Sequence, residues 1–195
     1  MTVKLVGSTS GSVSLQAPAS TSGGAHRVLT LPDADGTVAT TTTAGKILQV
    51  VQTVKTDAFS YNSTSFGDIT GLTATITPSS NSNKILVSTN LYFSIGTGSG
   101  STTIMCNLVR GSTNIAQPNL PSSINHQASL FSWSSAAYMQ QRTVEFLDSP
   151  ATTSATTYKV QIKGDNTSAT MWLNRYYSSN NYRGISTITL MEVAA

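Results

Sequence analysis

The chemistry open to this chain rests first on eight carboxylates, Asp33, Asp35, Asp57, Asp68, Glu145, Asp148, Asp165 and Glu192. Cleavage of a glycosidic bond needs two such groups facing each other, one as acid and one as base or nucleophile. Glu145, Asp148 and Asp165 are the set from which a pair could be drawn. Their contexts argue for plainer roles: Glu145 falls in an alternating run as a solvent-facing partner of Thr143, Asp148 opens an Asp-Ser-Pro turn, and Asp165 sits in Gly-Asp-Asn. His26 and His126 are the only histidines, and neither has a second His, Cys or acidic residue at metal-site spacing. Asp33-Ala-Asp-Gly opens like a calcium loop but lacks the downstream ligands and reads as a turn. Cys106 is the single cysteine, so no intrachain disulfide can form, and its neighbours Ile104 and Met105 predict a buried, unreactive thiol. The expectation is a chain with no catalytic residues, no metal and no cofactor.

What remains is contact chemistry. Aromatic rings stack on sugar faces and anchor interfaces, and the segment from Trp172 to Arg183 sets them among Asn and Arg. Arg175, Tyr176, Tyr177, Asn180, Asn181, Tyr182 and Arg183 are therefore the candidate surface-contact loop, suited to polar ligands such as glycans. Trp133 and Trp172 are expected in the core or in a subunit interface. Gly96-Thr-Gly-Ser-Gly100 reads as a hairpin tip and not as a phosphate loop, since no helix follows. Asn62-Ser-Thr and Asn166-Thr-Ser fit the glycosylation sequon, which matters only in a secreted eukaryotic protein.

Composition narrows the function classes. Only 10% of residues are charged, and Ser and Thr together supply roughly three residues in ten, so hydroxyls and amides must cover much of the surface. The net charge of +3 comes from scattered single charges with no basic tract, which argues against a nucleic-acid surface. No apolar stretch approaches a membrane span, and Met1-Thr-Val-Lys-Leu-Val-Gly lacks a signal-peptide core. The expected setting is a soluble compartment, left only by lysis. With 38% apolar residues in regular β-branched runs, the chain can bury enough surface to fold.

The elements that must position the contact residues read as strands. Residues 1–45 hold short apolar pairs separated by Gly, Ser, Pro and Thr, too short for a core of their own, so this segment must pair with other copies or lie along a partner. From Lys46 the pattern is that of a sandwich. Strand-like runs cover Lys46–Val54, Leu72–Pro78, Lys84–Ile95, Thr102–Arg110, Ala128–Trp133, Arg142–Leu147, Tyr158–Ile162, Ala169–Tyr176 and Ile185–Val193. Thr102–Arg110 is apolar on both faces, which fits either a central strand or one packed against a neighbouring subunit. No window carries a 3.6-residue apolar repeat or a capping box feeding one, so no helix is predicted.

Two stretches carry a resemblance. Gly11-Ser-Val-Ser-Leu-Gln-Ala-Pro-Ala-Ser-Thr through Leu29-Thr-Leu-Pro-Asp-Ala-Asp-Gly-Thr-Val38 resembles a segment of tail-fibre and related virion proteins of phages, notably cyanophages, where it lies in an attachment or stalk region. Gly45-Lys-Ile-Leu-Gln-Val-Val-Gln52, Lys84-Ile-Leu-Val87, Leu108-Val-Arg-Gly-Ser-Thr113 and Phe146-Leu-Asp-Ser-Pro150 look like the globular heads of the same proteins. The strand order is also similar to the jelly roll of the C1q and tumour-necrosis-factor type. The resemblance implies an all-β, antiparallel jelly-roll head over 46–195, an extended attachment segment over 1–45, and a homotrimer. It implies particle docking through Val13, Leu15, Val28, Leu29, Leu31 and Val38. The function it implies is a short trimeric tail or neck fibre of the virion, assembled in the bacterial host cytoplasm and exposing its head to the host surface. Its partners would be other virion proteins and a host surface glycan, with no nucleic acid and no membrane. Two alternatives stand beside it: a capsid decoration protein stabilising the shell, and a glycan-binding or depolymerase module.

Overall fold

The computed structural model describes residues 2–6, 12–16, 46–96, 102–119, 127–134 and 138–195, with the side chains of 2–6, 12–16 and 131–134 left aside. The chain divides into two compact units, Met1–Thr43 and Ala44–Ala195. In the first, β1 (Thr2–Val6) and β2 (Ser12–Gln16) pair antiparallel, with Val3 opposite Leu15 and Leu5 opposite Val13. An isolated two-stranded ribbon is at best marginal in water. Val13 and Leu15, two of the predicted docking residues, lie on this ribbon. Val28, Leu29, Leu31 and Val38 lie outside the described residues, as do both histidines, the turn at 33–36 and the tip residues 97–100.

The second unit is all β, and no helix occurs among the described residues. Eight principal strands build it: β3 (Ile47–Lys55), β5 (Gly67–Ile76), β6 (Lys84–Ile95), β7 (Thr102–Arg110), β9 (Leu130–Ser134), β10 (Gln140–Asp148), β11 (Thr156–Gly164) and β15 (Ser186–Val193). Short segments β4 (Phe59–Tyr61), β8 (Thr113–Ile115), β12 (Met171–Leu173), β13 (Arg175–Tyr176) and β14 (Ser179–Arg183) complete it. One sheet runs β3-β15-β6-β10 and the other β5-β11-β7-β9, all pairs antiparallel. Counted along the principal strands, the sheets are ordered first-eighth-third-sixth and second-seventh-fourth-fifth, the interleaving of a jelly roll.

Alternation along these strands decides what goes inside. On β6, Ile85, Val87, Leu91 and Phe93 point inward, and on β15 Ile188 and Leu190 meet them, all at most 2% exposed. From the facing sheet come Ile69, Leu72, Ala74, Ile76, Ile104, Cys106, Leu108, Val160 and Ile162. Each such side chain contributes about 1.5–3 kcal/mol on burial, the main favourable contribution set against the entropy of ordering the chain. β7 pairs on both edges, with β11 on one side and with β8 and β9 on the other, and its side chains are buried on both faces within this one chain. On its outer side Asn107 Oδ1 accepts from Gln117 Nε2, so the chain itself covers that face and no neighbouring subunit is required there. Two of the expected boundaries move. β5 begins at Gly67 and not at Leu72, because Gly71, at φ 79°, allows a bulge that carries pairing with β11 back to Asp68. The run expected over Ala169–Tyr176 is broken at Asn174 into β12 and β13.

Buried polar clusters fix one end of the sandwich. Arg110 at the end of β7 places Nη1 2.9 and 2.8 Å from the two carboxylate oxygens of Asp148 at the end of β10, and the Tyr158 hydroxyl donates to Asp148 at 2.7 Å. At the same end, in register through Ile85, Glu192 is fully buried and accepts from Ser79 N and Oγ, Asn83 Nδ2 and Gln49 Nε2 at 2.6–2.7 Å.

Candidate functional site: a tyrosine cleft at the far end

At the end of the sandwich opposite those clusters, the chain leaves the sheet at Asn174. Its φ of 60° is a left-handed conformation that Asn tolerates better than other non-glycine residues. The residue is fully buried and saturated. Its N–H donates to Tyr92 O and its carbonyl accepts from Gly184 N. Its amide donates to Lys55 O and Asp57 O and accepts from Ser186 Oγ at 2.6 Å. Ser94 Oγ adds a bond to Arg175 O. These bonds clamp the base of the hairpin formed by β13 and β14, whose strands pair through Arg175 with Arg183 and Tyr176 with Ser179. A side chain at Gly184 would press on the Tyr92 ring and Met139 at 3.0–3.1 Å, so glycine there permits the close return into β15.

The hairpin and the residues leading into β10 enclose an open cleft of about 810 Å³ lined by Tyr138, Met139, Tyr176, Asn181, Tyr182 and Arg183. Tyr176 is its pivot. Tyr138 stacks on it at 6.2 Å, while Tyr177 and Tyr182 meet it edge-on at 5.0 and 5.8 Å. Such ring pairs contribute about 0.5–1.5 kcal/mol each beyond their buried area. Yet Tyr138 and Tyr182 are 73% and 65% exposed, so their outer faces stay open to solvent. Arg183 bonds to Asn180 O through Nε, and Arg175 lies 4.0 Å over the Trp172 ring. Among the described residues no carboxylate pairs with either arginine, and none lines the cleft.

The sequence-predicted contact residues thus lie on one short segment, with one correction. The segment is a hairpin and not a loop, because Asn174 and Ser94 give its base fixed partners. Trp172 is half-buried on the outer side of β12, since its inward neighbours Met171 and Leu173 take the core positions. Trp133 is in β9, opposite Thr103. Sequence reading missed Tyr138, Met139 and Asn174. A lone Tyr before β10 carries no periodic signal, and an Asn inside an apolar run gives no sign of its φ.

The three carboxylates considered for hydrolysis are separated. Glu145 is on the exposed outer face of β10 and accepts from Ser88, and Asp148 is on the opposite face in the Arg110–Tyr158 cluster. Asp165 accepts from Thr102 Oγ1 and Thr103 N at the end of β7. Burial raises its pKa, but those bonds outweigh burial and the net shift is downward. No group of three metal-binding side chains occurs among the described residues. Cys106 is 1% exposed, and burial pushes its thiol well up, away from reactivity.

The outer face of the β3-β15-β6-β10 sheet is a second surface of note. Register aligns Val50, Met191, Leu86 and Leu147 in one row across all four strands, with Leu48 and Val54 on the same face of β3. Val50, Leu48, Val54 and Leu147 are 46–57% exposed. This row is the most apolar stretch among the described residues on the outer face of that sheet.

No family model matches the chain, and no curated protein matches it. A chain in the structure of infectious bursal disease virus, Gt strain, is similar at 12% identity with a TM-score of 0.43, covering 98% of this chain and 46% of the viral one. A chain of the Gx strain gives 14% identity, a TM-score of 0.40, and coverage of 98% and 45%. This chain therefore spans under half the length of either.

Proposed function

We propose that the chain is a structural subunit of a phage virion: a short trimeric tail or neck fibre that docks through residues 1–45 and presents its sandwich to the host surface. The supporting observation is polarity within the second unit. The chain enters the sandwich at Ile47, in register with Val193 and Lys84, beside the Glu192 cluster. The tyrosine cleft lies beyond the other end of β3, nine residues or about 30 Å of extended strand away. A subunit tethered at one end and carrying open aromatics at the other is arranged to hold on with the first and touch with the second. The apolar row on the outer sheet face fits the trimer, because three copies packed there would remove it from water. The phage-fibre resemblance of Gly11 to Val38 supplies the particle.

The second reading, capsid decoration, uses the same tether with the shell as anchor. Cryo-electron microscopy of intact particles separates the two. Density for the sandwich at the tail or neck is the expected result, and density at local three-fold positions of the shell overturns the fibre assignment in favour of decoration.

A further inference from the structure

The cleft's chemistry narrows what the outward end touches. We infer that it binds acidic saccharides, chains of hexuronate-type sugars whose ring faces lie on tyrosine and whose carboxylate meets Arg183. The inference rests on the proposed host-contact role of this end of the sandwich and names the class of ligand. Tyr138 stacks on Tyr176 and Tyr182 meets it edge-on, and both rings remain largely exposed while these contacts orient them. Tyrosine faces suit the C–H surface of a pyranose, and phenolic hydroxyls and the Asn181 amide suit its hydroxyls. Neutral sugars would be served by this much. Arg183 decides for an acid. Its Nε donates to Asn180 O and its Nη2 to Asn180 Oδ1, which orients the guanidinium while Nη1 has no described partner, and no acidic side chain among the described lining residues balances its charge. An uncompensated, oriented guanidinium is complementary to carboxylate. The rigid base at Asn174 means little ordering is needed on binding, which favours affinity.

The test is calorimetric titration of the purified full chain with a tetrauronate, a neutral tetrasaccharide of equal length and inorganic sulfate. The tetrauronate should bind at least tenfold more tightly than the neutral sugar, with sulfate showing no saturable binding. Tyr182→Ala and Arg183→Gln, both at exposed positions, should each weaken tetrauronate at least tenfold, and Arg183→Gln should cost the tetrauronate far more than the neutral sugar. Equal affinity for acidic and neutral sugars would overturn the acidic class, and equal binding of sulfate would reduce the site to a simple anion contact. Tetrauronate affinity unchanged in both variants would remove the cleft as its location. None of these outcomes depends on where the protein sits in a particle, so a failed titration leaves the virion assignment to the microscopy.

Discussion

Two buried side chains show how single residues hold this fold in place. Glu192 reads in sequence as one acid in an apolar strand, yet the sheet register carries it inward, where four hydrogen bonds converge on it. Burial opposes its ionisation, but the bonds from Asn83, Ser79 and Gln49 outweigh burial and hold the carboxyl down to about 2 from its ordinary 4.5. The folded state therefore resists protonation that the unfolded chain accepts. The stabilisation is complete above about pH 5 and is lost as pH falls towards 2, a difference of about 3 kcal/mol. Denaturant melts across that range should show the decline. Glu192→Gln should lower stability at neutral pH by about 1–3 kcal/mol, because an amide cannot accept at both oxygens, and should flatten the acid limb. An unaltered acid limb would assign the decline to other carboxylates. Asn174 is the second case. Asn174→Ala loses both the left-handed tolerance and the amide bonds and should cost about 2–4 kcal/mol, whereas Asn174→Gly keeps the backbone conformation and should cost about 1 kcal/mol less than Ala. Equal costs in thermal melts would mean that the φ of 60° carries no strain.

At the scale of elements, the period-two runs are legible because burial on one face writes itself into the sequence. Lys84–Ile95 is the plainest case, coinciding with β6 from end to end. Legibility fails where a single residue redirects the backbone without breaking hydrophobicity. Gly71 sits inside β5 and extends it backwards, and Asn174 splits the strand-like run Ala169–Tyr176. The predicted contact residues lie side by side, but in a hairpin and not a loop, since the bonds that shape it come from Tyr92, Ser94 and Lys55, distant in sequence. Pairing partners also lie beyond the sequence, so the apolar row Val50-Met191-Leu86-Leu147 emerges only when four strands are aligned. That row makes its own prediction. A double substitution Val50→Lys and Leu147→Lys, at sites already exposed, should leave the thermal midpoint of the sandwich within a few degrees of its original value but convert the proposed trimer to a monomer in sedimentation velocity. Charges on a buried subunit face cost several kcal/mol, whereas on an open face they cost nearly nothing. A trimer that survives both lysines packs elsewhere.

For the whole molecule, the two units divide the proposed work. The sandwich has its own core and, at one end, buried clusters around Glu192 and Asp148, so it is expected to fold without residues 1–45. The ribbon of β1 and β2 pairs five residues a side. The docking proposed for residues 1–45 would stabilise it on a partner. Removal of residues 1–45 should then leave a soluble sandwich with a cooperative melt and with tetrauronate affinity equal to that of the full chain. The same deletion should abolish incorporation when supplied in place of the full protein during particle assembly, as read by immunoblot of purified virions. The two readouts bear on different claims. Loss of folding on truncation would show that the sandwich borrows stability from the first unit. Normal incorporation of the truncated chain would instead shift particle docking to the sandwich, and the apolar face of the β3-β15-β6-β10 sheet would be the surface to examine for it.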